Sequence, residues 1–197
     1  MFNQQDFLVF DDPTLDGRMN KIRAIIDPKF VAFADLALPI LKEDGQDWYA
    51  HVAKHKMRKT NAPDNTWVAF APNKRGYKMM PHFELGLWAD NLYFYLAVEE
   101  NMKPKDLAEI VPKLRAVASQ VTQLPSEYCL SLNHMVNENQ ELANYANAVD
   151  RYEKVKAAEV LVGLKIPAES SLMGQEKLTE TLIQALQTLL PIYEKLR

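Results

Sequence analysis

The residues best suited to chemistry lie close together in the middle of the chain, between positions 51 and 82. This segment holds seven lysines and arginines and a single acid, Asp64, so its formal charge is +6. The rest of the chain has 16 cations and 25 acids and therefore carries -9. Three of the four histidines, His51, His55 and His82, fall in the same segment. Because like charges repel, this clustering indicates either a binding surface for an anion or a basic surface that acids elsewhere in the fold neutralise.

A predicted strand from Lys78 to Trp88 would sort these residues onto two faces, since alternate residues of a strand point the same way. The polar face would carry Lys78, Met80, His82, Glu84, Gly86 and Trp88. The opposite face would send Met79, Phe83, Leu85 and Leu87 into a core. His82 and Glu84 are then a candidate acid–base pair, and the glycine beside them leaves room for a ligand or for a closely packed helix.

The main functional prediction is a site for an anionic small ligand that bears phosphate or carboxylate groups. The residues expected to supply charge, polar contacts and indole walls are His51, Lys54, His55, Arg58, Trp67, Lys74, Arg75, Lys78, His82, Glu84 and Trp88. The turn Asn73–Tyr77 carries two of these cations, and its backbone amides suit an oxyanion. It is not a phosphate loop, because the spaced glycines and the lysine–hydroxyl ending are missing. Nucleic-acid binding through the same patch, and a structural or protein-interaction role without a ligand, remain open.

No metal site is predicted, no motif identifies a cofactor, and no residue is assigned a catalytic role. His51 and His55 are four residues apart, a spacing that suits one metal ion on a helix but is too wide on a strand. Lys54 and Lys56 would also repel a cation. Cys129 and His134 are the types of a nucleophile and its base, but Cys129 lies in an apolar strand, where a buried structural thiol is expected.

The remaining pattern predicts an α+β fold. The first 44 residues read as helical, with a new helix start at Asp27-Pro28. Strands are predicted at Trp48–Ala53, Thr66–Ala71, Lys78–Trp88, Leu92–Val98, Glu127–Leu132 and Glu159–Ile166, and later helices at Pro104–Ser119, Asn139–Lys156 and Gln175–Leu196. We expect one domain over residues 1–197, with a mostly antiparallel sheet of five or six strands covered by helices.

Bulk composition predicts a cytoplasmic protein without a membrane partner. No apolar run approaches the roughly 20 residues of a membrane helix, and the first ten residues lack the pattern of a secretory signal. Cys129 is the only cysteine and cannot form an internal disulfide, which fits a reducing compartment. The pattern does not indicate an oligomeric state.

Several strings of the middle segment resemble the YktB family of uncharacterised bacterial proteins. They are Trp48–His55, Asn65–Phe70, Asn73–Lys78, Pro81–Phe83 and Gly86–Trp88, with a looser likeness around Glu153–Leu164 and over almost the whole chain. The resemblance implies a single α+β domain with an antiparallel sheet and flanking helices. It implies no activity, so it transfers no catalytic residue to this chain.

Overall fold

A computed structural model describes residues 1–197, apart from the side chain of Asp44. Its six strands are β1 (Tyr49–Val52), β2 (Asn65–Ala71), β3 (His82–Trp88), β4 (Asn91–Val98), β5 (Tyr128–Ser131) and β6 (Val160–Pro167). They form one sheet in the order β1-β2-β3-β4-β6-β5, and every neighbouring pair is antiparallel. The predicted α+β class and antiparallel sheet are confirmed.

The helices precede and follow the central strands. They are α1 (Leu15–Lys21), α2 (Asp27–Leu41), α3 (Lys103–Ala116), α4 (Ala118–Thr122), α5 (Tyr145–Lys154) and α6 (Glu176–Leu196). A 3-10 helix at Gln4–Asp11 opens the chain. Among the described residues, no helix has both the length and the apolar character needed to cross a membrane.

The predicted helix start at Asp27-Pro28 coincides with the first residue of α2, but Asp27 does not cap a new helix, because α1 runs into α2 without a break. A π-helical turn at Ile22–Ile26 joins them, and the backbone N–H of Asp27 donates to the carbonyl of Ile22, five residues earlier. Proline lacks an N–H and crowds the carbonyl four residues before it. The wider turn accommodates Pro28 and lets the helix continue, as a single-turn π-bulge inside an α-helix.

The sheet has two unlike faces. The helix-covered face carries Phe83, Leu85 and Leu87, all fully buried in the main core together with residues of α2 and α6. The opposite side, which we call the helix-free face, carries Trp67, Tyr93, Tyr95 and other members of a second, smaller apolar cluster. Among the described residues, that second cluster contains no α-helical residue.

Two predicted boundaries were wrong in ways that affect the candidate site. Strand β3 begins at His82, so Lys78 and Met80 are not strand residues, and Met79 does not enter the core. Pro81 cannot donate to the ladder, and the chain before it makes a 3-10 turn at Tyr77–Met79 instead.

The other boundary concerns the helix predicted from Asn139, which begins at Tyr145. The predicted first turn of this helix does not form. Instead, Gln140 pairs with Leu130 of β5 through two backbone hydrogen bonds of 2.9 and 2.8 Å.

Candidate functional site

Strand register places the candidate residues on the helix-free face. Trp67 of β2 lies opposite Gly86 of β3, which lies opposite Tyr93 of β4. One step along, Glu84 lies opposite Tyr95. Gly86 is required here because a Cβ at this position would overlap the Tyr93 phenol. The missing side chain therefore lets the Tyr93 ring lie across β3.

Three connections cover this face of the sheet. They are residues 53–64 between β1 and β2, residues 72–81 between β2 and β3, and residues 132–140 after β5. The first contains His55 with φ +49°, a left-handed conformation that is uncommon outside glycine but is adopted by histidine more often than by most residues. The second turns at Gly76, with φ +74°. These turns direct ring and cationic side chains back over the sheet.

A buried cluster of charge-bearing side chains lies beneath the connections. His82 and Glu84 follow each other on one face of β3, and Glu99 continues the same face just beyond β4. The Nε2 atom of His82 is 3.3 Å from Oε1 of Glu84 and 3.4 Å from Oε1 of Glu99. All three side chains are at most 1 % exposed. Charged groups seldom occupy such positions unless they are paired, because burial strips away their hydration.

The cluster fixes the proton of His82. Its Nδ1–H donates to the carbonyl of Met80 at 2.9 Å, which directs Nε2 toward the two carboxylates. Burial alone would lower the pKa of His82, but hydrogen bonds and charge from Glu84 and Glu99 raise it to about 9. Burial would likewise raise the pKa of Glu99, yet its hydrogen bond with His82 and nearby positive charge lower it to about 2. The arrangement therefore holds an imidazolium between two carboxylates at neutral pH.

Lys78 links this cluster to a second histidine–glutamate pair. Its Nζ donates to Oε2 of Glu99 at 2.9 Å and lies 3.3 Å from Nε2 of His134. An ammonium only donates, so Nε2 of His134 accepts this hydrogen bond. Nδ1–H of His134 then donates to Glu159 at 2.8 Å. The backbone N–H of His134 also donates to Glu159, at 2.8 Å. His134 and Glu159 thus form a closed pair in which both carboxylate oxygens accept hydrogen bonds.

Aromatic rings separate the buried cluster from solvent. The indole N–H of Trp67 donates to the hydroxyl of Tyr77 at 3.0 Å, and the ammonium of Lys78 lies over both rings, 5.5 and 5.7 Å from their centroids. The Tyr77 ring lies 5.0 Å from that of His82, and the Trp67 ring lies 5.6 Å from that of His134. Lys78, whose side chain is 33 % exposed, is therefore the cluster member nearest to solvent.

The two other histidines lie on the outer side of this aromatic layer. The His51 ring is 5.2 Å from that of Tyr77, and the His55 ring is 5.5 Å from that of Trp67. Burial lowers the pKa of His51, and burial with the nearby charge of Arg58 lowers that of His55 to about 4. Both imidazoles are neutral at pH 7, unlike that of His82.

The remaining predicted cations lie at the edge of the site, outside the buried cluster of histidine, glutamate and lysine side chains. Lys54, Lys74 and Arg75 are exposed on the first two connections, and Arg58 is half-buried there. Lys74 lies over the ring of Tyr49 at 5.7 Å. Arg58 donates to the Ala62 carbonyl at 3.3 Å.

Trp88 and Cys129 are not part of the buried cluster of charged side chains. Trp88 is half-buried at the far end of β3 and packs on the second cluster. Burial raises the pKa of the Cys129 thiol, and Asn139 donates to its sulfur at 3.0 Å. A thiol in this state is a poor nucleophile, in line with the structural role expected for it.

Part of the candidate site was predicted from the sequence, and the rest was not. The structure brings together six predicted residues, namely His51, His55, Trp67, Lys78, His82 and Glu84. It adds five that were not predicted: Tyr77, Tyr93, Glu99, His134 and Glu159. Strand parity held a signal for two of them, since Glu99 continues the face of Tyr95 and Ala97, and Glu159 precedes the face of Leu161 and Gly163.

A groove of about 320 Å³ lies elsewhere, between the Met79–Pro81 turn and the helices α3 and α6. Its lining includes Met102, Ile110 and Tyr193 but none of the buried His and Glu residues. The groove is therefore separate from the candidate site.

Comparison with known proteins places the chain among bacterial relatives without an assigned activity. A family model described as "Domain of unknown function (DUF1054)" matches residues 2–193. The chain is similar to the UPF0637 protein of Leuconostoc mesenteroides, with 59 % identity over 197 residues and all of both chains covered. It is also similar to the UPF0637 protein of Lactiplantibacillus plantarum, with 40 % identity over 203 residues, covering 98 % of this chain and 94 % of the relative.

Proposed function

Since the chain belongs to the DUF1054 family, a bacterial family of unknown function in keeping with the YktB resemblance, we propose from its geometry that it binds an anionic small ligand. The ligand would bear phosphate or carboxylate groups. It would lie on the outer side of the aromatic layer of the helix-free face, between the first two connections.

The observation that carries this proposal is the unequal pairing of the cations in residues 51–82. Lys78 is paired with Glu99 at 2.9 Å. Among the described residues, no carboxylate lies within 4.0 Å of Lys54, Arg58, Lys74 or Arg75. Asp64, the single acid of the segment, is instead 3.7 Å from Arg18 of α1. A set of like charges left without contact partners favours a bound anion.

The surface between these cations suits a small ligand with polar and flat parts. His51 and His55 are neutral and present imidazole rings, and Trp67 and Tyr77 lie directly behind them. The left-handed backbone at His55 holds its ring on Trp67, and such backbone strain is more frequent at functional sites than elsewhere. Cations can meet the anionic group while the rings contact the remainder of the ligand.

The test is a thermal-shift and calorimetric screen at low salt, with chelator-treated protein, against inorganic phosphate, nucleotides, sugar phosphates and citrate. A ligand at about 100 times its Kd stabilises the folded state by about 2.7 kcal/mol. We expect at least one of these anions to raise Tm in a concentration-dependent way. No shift with any of them would overturn the proposal.

Charge reversal then locates the site. The double variant Lys74→Glu/Arg75→Glu should lose the anion-dependent shift. The matched control Lys154→Glu/Lys156→Glu changes the net charge equally at two other exposed cations and should retain the shift. Equal responses of the two variants would contradict the proposal. Retention on RNA or DNA with a steep salt dependence, and no response to small anions, would replace it with nucleic-acid binding through the same patch.

A further inference from the structure

The buried cluster of His82, Glu84 and Glu99 on the helix-free face has the geometry of a metal site. The atoms His82 Nε2, Glu84 Oε1 and Glu99 Oε1 converge, with the imidazole nitrogen 3.3 and 3.4 Å from the two oxygens. A tetrahedron with metal–ligand bonds of about 2.0 to 2.1 Å has edges of about 3.3 to 3.4 Å. All three ligand atoms also lie within 4.8 Å of one another, so one metal ion could contact them after an adjustment of the side chains.

The imidazole is oriented as metal ligands are. Nδ1–H of His82 donates to the Met80 carbonyl at 2.9 Å, so Nε2 is the nitrogen that faces the carboxylates. Histidines that bind metals almost always donate their other ring N–H to a carbonyl or carboxylate, which fixes the tautomer and the direction of the ring.

An independent observation points to a further ligand at this place. Oε2 of Glu84 is buried and accepts no hydrogen bond from the described residues, and the Tyr93 hydroxyl beside Gly86 is likewise without a partner, whereas Oε1 of Glu99 has only its 3.4 Å contact with Nε2 of His82. A buried carboxylate oxygen without a donor is costly, because neither water nor protein replaces its hydration. A cation coordinated by the two carboxylates would satisfy Oε2 of Glu84 if this carboxylate binds through both of its oxygens.

The neighbouring groups complete such a site. Lys78 donates to Oε2 of Glu99 at 2.9 Å, which leaves Oε1 for the metal and sets the angle of the carboxylate. On binding, the ion would displace the Nε2 proton of His82 to solvent, and the two carboxylates would then balance the charge of one divalent ion. His134 and Glu159 stay outside the ligand set, because Glu159 already accepts from the backbone N–H and the ring of His134.

We propose that His82, Glu84 and Glu99 bind a divalent transition-metal ion, with Zn²⁺ as the best match to one nitrogen and two oxygen ligands at tetrahedral spacing. Three protein ligands leave one coordination position free, as in catalytic zinc sites. The imidazole disfavours Mg²⁺ and Ca²⁺, which prefer ligands that are all oxygen. This site departs from the sequence-based expectation of no metal, which considered only His51 and His55, and it does not depend on the anion proposal.

The test uses the full chain, stripped of metal by a chelator and titrated with ZnCl₂ by calorimetry and by thermal shift. We expect one zinc per chain and a rise in Tm, with no comparable response to MgCl₂ or CaCl₂. Substitution of Zn²⁺ by Co²⁺ should give the intense visible absorption of a tetrahedral ion. Absence of zinc binding to the wild-type chain would overturn the proposal without bearing on the anion screen, which is run on chelator-treated protein.

Variants assign the ligands. His82→Gln and Glu84→Gln should each weaken zinc binding by about 100-fold or more, since even the partners of ligands contribute about 10- to 100-fold. Glu159→Gln removes another buried carboxylate, that of the adjacent pair, and should leave zinc affinity almost unchanged. Zinc affinity that persists in both ligand variants would place the ion elsewhere and refute this assignment. If a variant does not fold, the cobalt spectrum of the wild-type chain decides between a tetrahedral site and none.

Discussion

The two faces of the sheet differ in what they bury. On the helix-covered face, β3 contributes Phe83, Leu85 and Leu87, which lose no hydrogen bonds when they leave water. On the helix-free face, the same strand contributes His82 and Glu84, which are buried as completely. Burial of apolar carbon stabilises a fold directly, whereas buried ion pairs often return little more than their desolvation cost. One face therefore stabilises the fold directly, whereas the other contains buried charge despite its desolvation cost.

Buried side-chain oxygens without a hydrogen-bond partner are found on helices at Asp27 of α2 and Gln120 of α4, and on the helix-free face at Glu84 and Tyr93. Perturbed pKa values gather there too, and in opposite directions, since that of His82 is raised and that of His55 is lowered. Such groupings are typical of functional sites, where charge is arranged for a ligand and not for stability.

The largest expected effect tests the helix-covered face. Phe83→Ala should reduce the free energy of unfolding by about 4 kcal/mol, because the fully buried ring packs on Phe94 at 6.0 Å and on Tyr193 at 5.3 Å between centroids. Urea unfolding measures this loss. Leu36→Ala, on an exposed side chain of α2, is the control and should change stability by less than about 0.5 kcal/mol. Similar values for both variants would contradict a stabilising role specific to this face.

Removing one charge from the helix-free face should have a somewhat smaller effect. Glu99→Gln keeps the shape of the side chain but withdraws a carboxylate from both His82 and Lys78. Leaving buried charge incompletely paired is expected to cost about 3 kcal/mol in urea unfolding at pH 7. Glu153→Gln breaks the exposed pair with Arg115 and should cost less than about 1 kcal/mol. If Glu99→Gln also cost less than about 1 kcal/mol, the buried network would contribute little to stability.

The pH dependence of stability should also distinguish the faces. The folded-state pKa of His82 is about 9, above its ordinary value of 6.5, so its contribution is complete below pH 6.5 and disappears as pH rises through 9. In chelator-treated protein, the free energy of unfolding should decrease by about 2 kcal/mol between pH 7 and pH 9. His82→Gln should remove this slope. If the stability of the wild-type protein and of the variant changed equally with pH, the carboxylates would not be holding an imidazolium.

The sequence predicted the strand but not the partners that meet across it. The period of two in β3 was sufficient to separate His82, Glu84, Gly86 and Trp88 from Phe83, Leu85 and Leu87. His134 and Tyr77 lie in connections, where no periodicity fixes the direction of a side chain, and the contact between Lys78 and His134 spans 56 residues. Such contacts depend on how loops pack on the finished sheet, and local pattern does not contain that information.

Lys78 shows how a correct residue can follow from a wrong element. The prediction placed it on β3 beside His82, but Pro81 ends the strand and the side chain arrives from a 3-10 turn. Its charge, and not its register, accounts for its position, because Glu99 and the faces of Trp67 and Tyr77 attract the ammonium. Electrostatic attraction therefore places the Lys78 side chain beside His82, where strand parity had also predicted it.

The smallest expected effect on stability concerns the cations at the edge of the helix-free face. Lys74→Gln/Arg75→Gln should change the free energy of unfolding by less than about 0.5 kcal/mol in the absence of ligand, because both side chains are exposed and neither contacts a carboxylate of the described residues. Urea unfolding at low and at high salt measures it. A clear loss at low salt that vanishes at high salt would reveal longer-range attraction to acids elsewhere in the fold. That result would favour internal neutralisation over a ligand, whereas no loss would leave these charges without a structural role and would strengthen the division between a stabilising face and a binding face.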